Sequence, residues 1–283
     1  MIFNEDHYDF SKIEVFKGFN KAEELIKEDM IENSSWEEEI EVERKDKEYG
    51  YIFPSRVAYG TQIVGVLFSG GFNSTVTLID AIEEGYTVLP IIFDFNNPDE
   101  QLLIKTTLLQ LGKVYKSRIL PAYNIKFLFP YEGLYEVQDT FLIQPMIHFY
   151  LGFMDDKVLR KIESLRIGYI KEDVGLKSLK EYKAIYTSTM KYQKHKNIPK
   201  LLYPLSRTSR AKVLKKFDAF VKEHNVQIPC VSCFTPIFQY LETKKDLLME
   251  VAACDACEAC GDNNLSGSPR LNEYLIKIPI RVE

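Results

Sequence analysis

No stretch of this 283-residue chain approaches the roughly 20 consecutive apolar positions that a helix needs to cross a bilayer, so no membrane partner is expected. Tryptophan occurs once, and the four histidines (His7, His148, His195, His224) show no metal-binding spacing. His148 lies in an apolar stretch and reads as a satisfied core histidine rather than a catalytic one. No Gly-Lys pair is followed by Ser or Thr, which excludes a Walker A loop. Neither G-x-S-x-G nor H-E-x-x-H is present, so the commonest serine-hydrolase and zinc-protease signatures are missing too. No internal repeat or low-complexity tract appears. Cysteine is absent until Cys230. The acidic N-terminus lacks the basic-then-apolar pattern of a signal peptide, so a reducing cytoplasm is the expected compartment.

Charge is unevenly distributed. The net charge of −5 conceals a first fifty residues with 16 Asp/Glu against 7 Lys/Arg, and a stretch 157–216 with 17 Lys/Arg against 4 Asp/Glu. A basic stretch of that size can steer ATP, a nucleic acid or an acidic partner, although scattered lysines are more often solvated helix faces. No run of aromatics interleaved with arginine marks a base-stacking platform, so direct nucleic-acid binding is a secondary expectation.

The strongest local signal is Val64-Gly65-Val66-Leu67-Phe68-Ser69-Gly70-Gly71-Phe72-Asn73-Ser74-Thr75. An apolar run ends in Ser-Gly-Gly, and a helical pattern over 74–84 follows at once. Paired glycines let the backbone turn tightly and bring N–H groups close to a ligand. A helix starting there aims its positive end at the same space, the arrangement of a phosphate cradle.

All five cysteines lie between Cys230 and Cys260: Cys230-x2-Cys233 upstream, then Cys254-x2-Cys257-x2-Cys260. Four thiolates at this spacing suit a closed tetrahedral zinc site. A disulfide framework and an iron–sulfur cluster are the alternatives.

Strand and helix patterns alternate through the middle of the chain: Ile63–Phe68, 74–84, Val88–Phe93, 98–111, Ile125–Phe129, a helix from Met146, Arg166–Ile170 and a basic helix over 207–224. Short connections argue for βαβ units and a doubly wound parallel α/β sheet. Residues 1–60 read as an acidic extension, with a helix over Phe19–Ile31 and a hairpin of 39–43 with 51–53. Residues 61–225 form the expected ATP-binding core and 226–283 the zinc-binding region.

The Ser69–Ser74 string resembles the SGGxDS signature of the PP-loop ATP pyrophosphatases, whose fold is of the adenine nucleotide alpha hydrolase type. Further motifs in order resemble one of their families, the 7-cyano-7-deazaguanine synthases of queuosine biosynthesis. These are Phe93-Asp94-Phe95, Gly168-x4-Asp173, Pro204-Leu205 with Ser209-Arg210, Ser232-Cys233-Phe234 and the final three cysteines. The resemblance covers about residues 62–262. It implies an ATP-dependent carbon–nitrogen ligase that adenylates a 7-carboxy-7-deazaguanine-type carboxylate, releasing pyrophosphate, for attack by ammonia. On it, Ser69, Gly70, Gly71, Asn73, Ser74, Phe93 and Asp94 hold ATP and Mg2+. Arg210 offsets charge at the reacting phosphate, and Tyr169 and Asp173 face the substrate. Cys233, Cys254, Cys257 and Cys260 hold Zn2+, leaving Cys230 as the extra thiol or a replacement for Cys233. A homodimer is left open.

Three departures qualify the resemblance. Asn73 stands where the family has Asp and so lacks the charge that magnesium favours. Pro145 is followed by Met146-Ile147-His148 where the family has P-x-R-N, and no Arg lies three residues beyond Cys260. Two rivals follow: a repurposed enzyme joining the activated acid to a protein or nucleic-acid acceptor, and a non-catalytic, zinc-stabilised binding protein with a degenerate loop.

Overall fold

The computed structural model describes residues 8–17, 62–95, 97–126, 143–230, 237–242, 245–252 and 273–280. The helix expected over Phe19–Ile31 and the hairpin of 39–43 and 51–53 lie outside the described residues. The chain divides into two units, one of residues 49–97 and 111–220, the other of 1–48, 98–110 and 221–283.

The larger unit is built on a parallel sheet. Strands β2 (Ile63–Leu67), β3 (Thr87–Asp94), β4 (Tyr123–Lys126), β5 (Ile162–Arg166) and β6 (Lys200–Leu202) lie in the order β4-β3-β2-β5-β6, every pair parallel. Helices follow the strands: α1 (Phe72–Glu83), α2 (Pro98–Tyr115), α3 (Ile143–Leu151), α4 (Asp156–Leu159), α5 (Leu179–Tyr192) and α6 (Arg210–His224). β2 and β3 are almost continuously apolar because both sheet faces are covered. On one face Leu89, Ile91, Phe93 and Leu165 pack with Leu151 of α3, Leu159 of α4 and Tyr186 of α5. On the other, Phe72 of α1 meets Phe217 of α6 edge-on, ring centroids 4.8 Å apart. This is the doubly wound α/β arrangement that the alternation of patterns predicts.

Two details set the sheet's geometry. At Gly65 a Cβ would lie 2.6 Å from Leu165 Cδ2 and 2.8 Å from Ile91 Cδ1, so side chains of both neighbouring strands close over this position and would have to shift to admit a larger residue. Pro90 sits mid-strand in β3, opposite Val66. Residues of a parallel strand bond alternately to one neighbour and the other. Val88 O accepts from Leu120 N–H at 2.9 Å on the β4 side, so Pro90, two residues on, turns its missing N–H to that side as well. The β3–β4 ladder begins only at Ile91–Tyr123.

Element boundaries differ from the sequence reading in places. The strand expected over 166–170 runs instead over Ile162–Arg166, because its register is fixed by Ile63–Val66 of β2 and Lys200–Leu202 of β6. Past Arg166 the chain stays near β6 for one more bond, Ile167 N–H to Leu202 O at 3.0 Å. β4 begins at Tyr123 rather than Ile125, and α3 begins at Ile143 rather than Met146.

The smaller unit contains a sheet that no sequence pattern had singled out. β1 (Glu14–Lys17), β9 (Glu273–Pro279), β8 (Asp246–Ala252) and β7 (Ile237–Glu242) form an antiparallel sheet in that order. Alternation supplies its inner face: Leu247, Met249 and Val251 from β8, and Tyr274, Ile276 and Ile278 from β9. Leu102 and Leu103 from the first turns of α2 complete that core. Nearby Tyr240 donates to Asp99 Oδ1 at 2.6 Å. Burial, with the Asp99 carboxylate beside it, pushes the pKa of Glu100 up to about 7.

Replacing Gly65 by alanine is expected to cost about 1–3 kcal/mol, the usual penalty for overpacking a close-packed core. Urea denaturation of the variant checks this. Unchanged stability would mean that Leu165 and Ile91 can move aside at no cost.

Candidate phosphate-binding site

β2 leads through Phe68 into the turn Ser69-Gly70-Gly71 and then directly into α1. Gly70 has φ 76°, a left-handed conformation that favours glycine, and makes the turn. Gly71 is extended and forms the N-cap without a side-chain bond to the helix. Helical bonding begins with Thr75 N–H to Gly71 O at 3.0 Å. The N–H groups of Phe72, Asn73 and Ser74 therefore have no intrahelical acceptor. They and the helix dipole make this end attractive to an anion.

Hydroxyl groups lock the turn. Ser74 Oγ donates to Gly71 O at 3.0 Å and accepts from Ser69 N–H at 3.3 Å, while the Ser69 and Ser74 hydroxyls lie 3.2 Å apart. Ser74 thus braces the loop from inside the helix, and the turn brings Ser69 and Ser74 together. The helix starts at Phe72, earlier than the apolar pattern indicates, because the carbonyl of Gly71 takes the first bond.

The sheet order reverses at β2. From there the chain runs outward through β3 and β4, then returns to β5 on the other side. Ligands of open α/β sheets bind beyond the carboxyl ends of the strands at such a switch point. The loop after β2 and the segment after β5 meet there. A Cβ on Gly168 would lie 2.7 Å from Asn73 O and 2.8 Å from Thr77 Oγ1, so the two segments touch through glycine. Thr77 itself donates to Asn73 O at 2.8 Å.

The same end gathers the start of α6. Lys171 N–H donates to Thr208 O at 3.0 Å, and Arg210 N–H to Glu172 Oε2 at 3.1 Å. Arg210 and the Gly168–Asp173 segment therefore share one edge of the crevice. Thr77, Glu172 and Thr208 join this constellation without having been candidates, because their roles are contacts between distant segments that no local motif carries.

Other candidates have visible structural duties. Phe93 is buried in the core beside half-buried Phe95, with centroids 6.5 Å apart and rings stacked, while Asp94 ends β3 half-buried. Asp173 Oδ2 accepts from Ile170 N–H at 2.7 Å and closes the turn after β5. Tyr169 is buried and donates to Gln144 Oε1. It lies in an aromatic cluster with His148, Tyr182 and Tyr203. His148 is wholly buried, as a core histidine should be. Its Nδ1 is 2.7 Å from Gln144 O, its Nε2 is 3.2 Å from the Tyr203 hydroxyl, and its ring stacks on Tyr182 at 4.7 Å. Burial holds its pKa down to about 4.

Among the described residues, no three His, Cys, Asp or Glu side chains are grouped to hold a metal ion. Cys233, Cys254, Cys257 and Cys260 lie outside the described residues, so the proposed zinc ligands are not placed. Cys230 is buried in the smaller unit. Asp94 ends the strand adjacent to β2, and Glu172 and Asp173 are further carboxylates at this end of the sheet. No helix among the described residues is long and apolar enough to cross a membrane.

No family model matches the chain, and no curated protein matches it. A solved structure described as that of a predicted subunit of tRNA methyltransferase from Methanocaldococcus jannaschii is 15% identical, over 74% of this chain and 90% of that one. Its TM-score is 0.36, too low to make the two folds the same.

His148 generates a stability prediction. Its ordinary pKa is 6.5, so below that pH the unfolded chain takes up a proton that the folded chain refuses until about pH 4. Stability is therefore lost as pH falls through this window, by up to about 3 kcal/mol. Glu100 acts in the opposite sense, costing stability as pH rises from its ordinary 4.5 towards 7. Comparing His148→Phe with the parent chain by denaturation across pH 4–7 isolates the histidine. The variant should show the flatter acid limb, and parallel curves would contradict the assignment.

Proposed function

We propose that the chain binds ATP with its phosphates on the Ser69–Ser74 loop and uses it to activate a heterocyclic carboxylate of the 7-carboxy-7-deazaguanine class. The observation that carries this reading is the braced Ser-Gly-Gly turn at the start of α1, set at the sheet's switch point. In the reaction, a carboxylate oxygen forms a bond to the α-phosphorus while the bond from that phosphorus to pyrophosphate breaks. The carboxylate, whose oxygen leaves poorly, becomes a mixed anhydride with AMP as leaving group. A nitrogen nucleophile then displaces AMP. Ammonia is the proposed nucleophile, with dehydration of the amide by a second ATP giving the nitrile.

The roles of this chain's residues follow from their placement. The α1 N–H groups and the Ser69 and Ser74 hydroxyls would hold phosphate oxygens, and the guanidinium of Arg210 would offset charge developing at the α-phosphate. Magnesium, if it accompanies ATP, would screen the phosphates, with Asp94 and the neutral Asn73 oxygen as its protein ligands. Zn2+ would be structural, held by Cys233, Cys254, Cys257 and Cys260. The polar exchange of Asp for Asn at position 73 favours a second reading, in which the activated acid is passed to a protein or nucleic-acid acceptor, or ATP is bound without being cleaved.

Incubation with ATP, magnesium, ammonium and 7-carboxy-7-deazaguanine is expected to release pyrophosphate and yield the amide or nitrile by mass spectrometry. Pyrophosphate without either product would favour another acceptor, and none at all would leave a binding protein. Asn73→Asp should raise turnover at limiting magnesium roughly five-fold, equivalent to about 1 kcal/mol. Loss of ATP binding on this change would contradict the loop assignment.

Metal analysis of the purified chain is expected to find about one zinc per molecule, and Cys257→Ser to lose it with a marked fall in melting temperature. A zinc-free protein, or a variant of full stability, would refute the structural site.

A further inference from the structure

We propose that the face formed by the ends of α3 and α5 binds single-stranded nucleic acid. Three large rings are exposed there, Phe149 at 44%, Phe153 at 49% and Tyr192 at 82%. Scattered single exposures need no explanation, but these rings belong to one joint. Phe149 and Phe153 flank Gly152 in sequence and pack together at 4.9 Å and 62°. Gly152 lies against α5 so closely that a Cβ would fall 2.4 Å from Thr189 Cγ2. Beyond Thr189 come Tyr192 and then His195, whose Nε2 is 2.9 Å from Gly152 O. Thr189 and His195 thus hold Gly152, which brings the end of α3 with its Phe pair beside the end of α5 with Tyr192.

Cations surround this joint. Lys157 and Lys161 are exposed on the α4 side, and Lys191, Lys194 and Lys196 at the end of α5. Lys194 has φ 58°, the left-handed residue that ends the helix and starts the return of the chain. Two carboxylates, fewer than the five exposed lysines, lie among them, one ion-paired and one capping α4. Asp156 is paired with Arg160 and lies 3.4 Å from His195 Nδ1, and Asp155 accepts from Lys157 N–H at 2.8 Å. The face is left with positive charge among exposed rings.

Single-stranded nucleic acid is the occupant that satisfies both features: its phosphates answer the lysines, and its unpaired bases present faces on which aromatic side chains stack. A second copy of this chain would set like charges against each other. An anionic membrane would answer the lysines, but α5 exposes Lys183, Ala184, Ser188 and Lys191 beside Tyr192 rather than the apolar stripe that lies in a bilayer surface. Nothing in this face involves the Ser69–Ser74 loop, so binding here stands whether or not ATP is cleaved.

Fluorescence anisotropy of the full chain with a labelled oligo-uridine strand, and with a duplex of equal length, tests the proposal. The single strand should bind more tightly, with an affinity that falls as salt rises. Tyr192→Ala should weaken it about five-fold or more. Lys191→Glu with Lys194→Glu should lower the salt slope by roughly 1 for every phosphate that these lysines neutralise in the parent chain. All three residues are exposed, and thermal melting confirms that the variants fold. The proposal is overturned if the parent chain binds no single strand or if neither variant changes the affinity. It is equally overturned if phosphatidylserine vesicles compete the strand away and themselves lose the protein in Tyr192→Ala, or if Tyr192→Ala merely dissociates a dimer.

Discussion

The packing of Leu165 and Ile91 over Gly65 of the central strand β2 organises the core of the larger unit. Leu165 and Ile91 meet over Gly65, and a side chain there would have to displace their terminal methyl groups. β3 and β5 both run parallel to β2, and the chain passes through β3 and β4 on one side before it returns to β5 on the other. That reversal opens the crevice between the ends of β2 and β5. A second glycine repeats the constraint two residues beyond β5, where Gly168 lets the backbone rest on the carbonyl of Asn73. The Ser69–Ser74 loop is therefore fixed from within by Ser74 and from the side by the segment after β5.

Much of this core was legible in the sequence. β2, α1 and β3 stand out because strands buried on both faces must be apolar throughout, and because Ser-Gly-Gly marks the turn between them. β5 was less readable. Its residues Ile-Glu-Ser-Leu-Arg mix polar and apolar positions, whereas the apolar run Arg166–Ile170 that follows looks more strand-like. Pairing with β2 and β6 decided the matter, and pairing partners far apart in sequence leave no local trace. The antiparallel sheet was hidden for the same reason. β1 at one end of the chain pairs with β9 at the other, Val15 opposite Ile276, and the cysteine spacing drew attention from the alternation of Glu273–Pro279.

The candidate site divides along the same line. Residues within the loop could be named from the motif, since turn, cap and helix start are local. Contacts across the crevice, such as Glu172 to the Arg210 amide, could not. Tyr169 and Phe93 show why an aromatic residue near a strand end is ambiguous in sequence. Both rings are buried within the core that supports the site, where a sheet covered on two faces demands bulk whether or not a ligand is present.

Pro90 has a consequence for how the sheet assembles. β3 becomes central only after the distant β4 pairs with it, and until then its outer side is a free edge. An apolar strand with a free edge invites another chain to add to it. A proline on that side breaks the row of donors in the middle, so an intruding strand finds no continuous template. The segment leading into β4 bonds to Val88 ahead of the proline, and the continuous ladder resumes beyond it at Ile91. One missing hydrogen thus makes this side of β3 a poorer template for a foreign strand than its apolar sequence alone would be.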